Sequence, residues 1–155
     1  MARLKNALRG HFIAEISKES PDKEPTEWLE LAKYISNVET EDEEESDSEG
    51  FYDGDGTPEE FVKTFAAGYT FEGYRDHEDP AQNLICGMKF KTGEGRRVWH
   101  KVVSSNGKKE WVGRANVSGI NDGSGEATED ESFGCTIKYV ETPKESAATA
   151  VVPGT

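Results

Sequence analysis

Apolar and polar side chains alternate with a period of two at several places along the chain, the pattern of a half-buried strand. The pattern is cleanest over 133–140, where Phe133, Cys135, Ile137 and Tyr139 point one way and Thr136 and Lys138 the other. Over 110–117, Trp111, Gly113, Ala115 and Val117 share a face opposite Glu110, Arg114 and Asn116. Over 97–103, Val98 and Val102 face one side and Arg97 and Lys101 the other. Trp99 and Val103 lie on the side of the cations, so this strand is expected to be covered on both faces. The longest run, 61–74, sets Phe61, Phe65, Ala67, Tyr69 and Phe71 against Thr64, Thr70 and Glu72. A strand over 11–17 carries Phe12, Ala14 and Ile16 together.

The connections are turn-like. Ser105-Asn106-Gly107-Lys108 predicts a hairpin, since Asn-Gly tolerates the positive φ of a type I′ turn. The loop 120–125 is rich in Asp, Asn, Ser and Gly, so the last three strands read as an antiparallel meander. One helix is predicted at about 79–89. Asp79 would cap it, Pro80 stands at its first position, Leu84, Ile85 and Met88 recur at helical spacing, and Gly93 follows its end. The segment 26–38 fits a helix through Trp28, Leu31, Ala32 and Ile35 and a strand through Tyr34, Ser36 and Val38. Residues 41–58 are acids, Ser and Gly with Phe51 and Tyr52 as apolar content, and 143–155 are small and aperiodic. The expected architecture is mainly β: an antiparallel sandwich or barrel of six to seven strands with one flanking helix. It forms a single domain over 1–142, with 40–58 as a mobile acidic loop and 143–155 as a flexible tail.

Charge changes this picture in one place. The 155 residues hold 31 Asp and Glu against 18 Lys and Arg, a net of -13. Eight of those acids crowd into 39–49 (ETEDEEESDSE), which leaves 23 acids against 18 bases, a net of -5, for the rest. Such a chain is repelled by phosphate backbones, which disfavours sequence-independent nucleic-acid binding. Cys86 and Cys135 stand 49 positions apart with no CxxC, neither a disulfide framework nor a zinc site. No apolar run approaches transmembrane length, and MARLKNALRGHF has no apolar core or cleavage site of a secretory signal.

Candidate chemistry is sparse. Asp53-Gly54-Asp55-Gly56-Thr57 looks like the DxDGT nucleophile motif of haloacid-dehalogenase-like phosphatases, in which the first Asp attacks phosphorus and the second acts as acid and base. That chemistry needs a buried parallel strand before the motif and a helix after it, whereas ESDSEGFY precedes it here, so a solvated turn is the better reading. A calcium loop fails in both registers: from Asp53 the sixth position is Pro58 and the twelfth Thr64, and from Asp47 a ligand position falls on Phe51. His11, His77 and His100 are isolated and read as surface or strand residues. Trp28, Trp99 and Trp111 read as packing residues rather than as a stacking platform. No catalytic, cofactor or metal site is expected, and no enzymatic activity.

The order of these features resembles the tail tube (major tail) proteins of long-tailed, lambda-like bacteriophages. The residues that carry it are Trp28-Leu29-Glu30-Leu31-Ala32-Lys33-Tyr34 running into the acidic stretch and Phe51-Tyr52-Asp53-Gly54, then Phe65–Glu72 and the short helix Pro80–Met88. Arg97-Val98-Trp99, Val102 to Gly107, Trp111-Val112-Gly113-Arg114 and Phe133–Val140 complete the pattern, which spans about 26–142. The density of acid in 39–49 departs from it, as does the lack of an added immunoglobulin-like domain. The resemblance implies that 26–38 is strand and that two packed antiparallel sheets carry a flanking helix. It implies a structural virion protein whose six-membered rings, joined edge to edge, stack into a tube for genome passage. It also implies a negative lumen that does not hold the sliding duplex. Implied partners are further copies of the chain and the tape measure, tail terminator and tail tip proteins. Its location would be the virion tail, assembled in the host cytoplasm, with no membrane and no cofactor. Two alternatives stand beside it: a small acidic β-sandwich that binds carbohydrate or a basic protein, and the phosphatase. On the tube reading, the acidic loop is expected to order on ring stacking. Glu43, Glu44, Glu45, Asp47, Asp53 and Asp55 would supply charge, Phe51 and Tyr52 would anchor, and Arg3, Lys5 and Arg9 of the next subunit would face them.

Overall fold

The computed structural model describes residues 3–20, 22–50 and 56–147. Its elements are β1 (Gly10–Glu15), β2 (Leu29–Glu30), β3 (Ile35–Thr40), β4 (Glu43–Gly50), β5 (Pro58–Ala66), β6 (Gly68–Tyr74), α1 (Pro80–Cys86), β7 (Arg97–Val103), β8 (Lys109–Asn121), β9 (Ser132–Tyr139) and β10 (Lys144–Ala147). The main sheet is antiparallel in the order β2-β1-β7-β8-β9-β6-β3, with β10 also paired to β8, and it curls into a half-barrel. β2 and β3 lie at opposite ends of that order, yet only residues 31–34 join them, so the two ends are within roughly 18 Å of each other.

The alternation explains which face turns inward. Val98, Ala115, Val117, Phe133, Cys135, Ile137 and Phe71 form the interior of the curl with Ile13, and Ala81, Ile85 and Met88 of the α1 region close it. Each large side chain fully buried there stabilises the fold by about 1.5–3 kcal/mol. The outer side of β1, β7 and β8 is apolar too: Ala14, Trp99 and Val112 pack under Ile16 and Trp28. The strand at 97–103 is therefore covered on both faces. Lys101 lies over the rings of Phe12 and Trp28, 4.9 Å from each. In β1 the stripe Phe12, Ala14, Ile16 belongs to this outer layer, while Ile13 and His11 face the interior.

Several expectations change. Ten strands form among the described residues instead of six or seven. The run 61–74 breaks at Ala67 into β5 and β6, which lie in different sheets. The segment 26–38 yields β2 and the start of β3, parted by Tyr34 at φ 60. A side chain at Gly73 would meet the Tyr34 carbonyl oxygen at 2.0 Å, so the two backbones can approach only at a glycine. The helix is shorter than 79–89 and gives way at Gly87. The β7–β8 turn is not type I′: Gly107 N–H donates to the Ser104 carbonyl (2.8 Å), and Gly107 alone has positive φ. That is a type I turn followed by a left-handed glycine. Residues 40–58, expected as a loop, hold β4 and the start of β5. Lys144–Ala147, expected in the tail, pair with β8 at Val112 to Lys109, because backbone pairing needs no apolar side chain. Residues 148–155 of that tail lie outside the described residues.

Candidate assembly surface

β4 and β5 form a two-stranded arm separate from the main sheet. Their register runs from Glu43 opposite Ala66 to Gly50 opposite Pro58, with an irregularity between Glu45 and Ser46. Nothing in the acid-rich sequence of β4 favours a strand. Pairing with β5, which carries Val62 and Phe65, supplies the reason. Along β4 the side chains of residues 43–48 are exposed, and in β5 Val62 and Phe65 are 56% and 55% exposed. An isolated two-stranded ribbon without a buried face is marginal in water. Between 43 and 66 the chain has nine acids and one lysine.

The root of the arm is tied down. Glu41 N–H donates to the Gly68 carbonyl (2.8 Å), Gly68 N–H to Asp42 Oδ1 (3.3 Å), and Lys138 Nζ to Glu43 Oε1. That contact and the lysine charge hold the Glu43 carboxyl below its usual range. A Cβ on Gly68 would sit 2.5 Å from Lys138 Cγ, so glycine leaves room for this lysine.

Of the expected interface residues, Glu43 sits at the root and Glu44, Glu45 and Asp47 lie along β4, opposite Phe65, Thr64 and Phe61 in register. Phe51, Tyr52, Asp53 and Asp55 lie outside the described residues. Arg3, Lys5 and Arg9 are exposed beside the single turn Asn6–Leu8. Burial raises the Tyr69 phenol pKa, with Arg9 pulling it down and Asp42 pushing it up. Sequence reasoning missed Lys138, whose role depends on a contact across 95 positions, and gave Phe65 to the core.

The phosphatase reading finds no supporting frame among the described residues. The strands that flank Asp53–Asp55 are antiparallel and exposed, not the buried parallel strand and helix that a phosphatase nucleophile needs. His11 and His100 are buried strand residues whose rings face each other, Nδ1 to Nε2 at 3.4 Å, among Tyr69, Phe71 and Tyr139. Burial lowers the His11 pKa to about 4 and that of His100 well below the ordinary value. Burial raises both thiols, and Cys86 and Cys135 are unbridged. Among the described residues no three His, Cys, Asp or Glu are grouped to hold a metal. Among the described residues no helix is long and apolar enough to cross a membrane.

No family model matches the sequence, and no curated protein does. Solved structures do match in fold. One is a chain from the tail of an empty gene transfer agent particle refined helically in C6 symmetry: TM-score 0.65 at 12% identity, covering 94% of this chain and 100% of that one. Another, from the virion of a native gene transfer agent particle, gives 0.62 at 11% identity over 88% and 95%. A third, from the anti-feeding prophage cap that terminates its tube, gives 0.57 at 9% identity over 96% and 93%. The fold is shared with tail particles. The correspondence spans nearly the whole chain, so the same fold accounts for the half-barrel and most of what surrounds it.

Proposed function

We propose that this chain is a structural subunit of a particle tail tube, in which six copies form a ring and rings stack into a tube that conducts DNA. The observation that carries this is end-to-end similarity of fold to a chain of a helical tail with C6 symmetry. Two features of the chain support it. The outer edge of β3 has no partner strand among the described residues, and an open edge invites pairing with a neighbouring copy. None of the arm's described side chains is buried, and docking would cover them. The arm's acids, with Phe51 and Tyr52 between its two strands in sequence, form the ring-stacking element on this reading. The net charge of -13 suits a tube that lets a duplex pass without holding it. Tape measure, tail terminator and tail tip proteins are the further partners, and the virion tail, assembled in host cytoplasm, is the location.

The test is assembly of the pure protein. Concentrated wild type should give tubes in negative stain and a pelletable fraction. A variant with 43–66 replaced by a short Gly-Ser turn should remain a folded monomer. Removing 42–57 alone would strand β5, so the whole arm is the clean deletion. Tubes of normal length from the armless variant would refute the role of the arm.

A further inference from the structure

We propose that the turn Lys89-Phe90-Lys91 receives the β4–β5 arm of a second copy of this chain. The proposal rests on the tube reading and names the surface on which its stacking contact closes. Phe90 is 94% exposed, the most exposed large apolar side chain among the described residues. It is held out by a fixed turn. Met88 just before it is buried, Lys89 Nζ donates to Asp122 Oδ1 (2.8 Å), and Arg96 donates to the carbonyls of Lys89 (2.6 Å) and Lys91 (2.8 Å). A phenylalanine displayed on a braced turn costs little ordering when it docks.

Charge selects the occupant. Residues 87–97 carry Lys89, Lys91, Arg96 and Arg97 against Glu94, and with Asp122 paired to Lys89 the turn keeps a net of +2, whereas 43–66 carry nine acids against Lys63, a net of -8. The arm also offers Val62 and Phe65, both more than half exposed, for an apolar contact with Phe90.

Arm and turn are different surfaces of the chain. The arm is rooted at Gly68, the first residue of β6, which pairs with Lys138. The basic turn is tied to the β8 region, through Lys89 to Asp122 and through Arg96, which also donates to the Val117 carbonyl (3.3 Å). A contact between two unlike surfaces is head-to-tail and repeats from copy to copy.

A charge-reversal swap tests this. In the receptor variant Phe90→Ala/Lys91→Glu both altered side chains are on the surface, so its melting temperature should match wild type; Phe90→Ala/Lys91→Gln serves as the milder form. Either is expected to cut pelletable tube mass about tenfold or more. An arm variant, Glu44→Lys/Asp47→Lys, should likewise fail alone. Mixed with the Lys91→Glu receptor variant, it should form tubes again. Wild-type tubes together with full assembly of the receptor variants would overturn this inference and leave the tube reading standing. Absence of tubes from wild type would overturn the tube reading and this inference with it.

Discussion

Acid should destabilise the fold in a window set by the buried histidines. The perturbation is a change of pH from 8 to 5, which stays above the ordinary carboxylate range, so most carboxylates remain ionised. Burial against Tyr69 and Phe71, with the Arg9 charge adding to it, lowers the His11 pKa from 6.5 to about 4. Between those values the unfolded chain binds a proton that the folded chain refuses. Stability is therefore full above pH 6.5 and falls as the pH drops towards 4. At pH 5 about 1.5 of the 2.5 decades have been traversed, so His11 alone should cost about 2 kcal/mol. His100, fully buried and lowered in the same direction, adds to the loss. Urea unfolding followed by tryptophan fluorescence at pH 8, 7, 6 and 5 reads this directly. His11→Phe should flatten the slope, since that site is already lined by aromatic rings. A stability that does not change between pH 8 and pH 5 would refute the assignment of His11 and His100 as neutral buried groups.

Other outcomes follow from the same structure. Ile137→Ala and Phe71→Ala, each emptying a fully buried site, should cost about 2–5 and 3–5 kcal/mol in chemical denaturation, and losses under 1 kcal/mol would contradict their place in the core. Gly73→Ala should destabilise more than Gly68→Ala, because its Cβ meets the backbone of Tyr34 and Ile35, whereas at Gly68 the nearest atom is a lysine side chain. Equal melting temperatures for the two would be the contrary result. Tyr34→Gly should be neutral or gain up to about 1 kcal/mol by relieving a positive φ at an exposed position, and a loss above 1 kcal/mol would show that the tyrosine ring matters more than the backbone.

The parts of the fold legible in the sequence are those where one face of a strand is buried and the other is polar. Phe133, Cys135, Ile137 and Tyr139 fill alternate positions of β9 because β9 crosses the middle of the curled sheet. The same logic gave Val98 and Val102, and the cover over Trp99. It failed where burial and polarity part company. His11 and His100 are interior positions occupied by a polar residue, so the pattern in β1 pointed at Phe12, Ala14 and Ile16 instead. It failed again where no face is buried. β4 and β10 hold their place through backbone pairing with β5 and β8, and Glu43–Gly50 and Lys144–Ala147 have no apolar period to show it. Of the proposed assembly surface, the acids at Glu43, Glu44, Glu45 and Asp47 were visible as a charge run. Lys138 and Phe90 were not, since one acts through a distant partner and the other is marked only by its exposure.

Helical reconstruction of tubes grown from the pure protein tests the central claim most directly. The account predicts a six-fold tube whose wall is the curled sheet joined edge to edge, with the β4–β5 arm crossing to the adjacent ring. A protein that stays monodisperse and monomeric by sedimentation velocity at high concentration, or tubes in which the arm contacts no second ring, would contradict it.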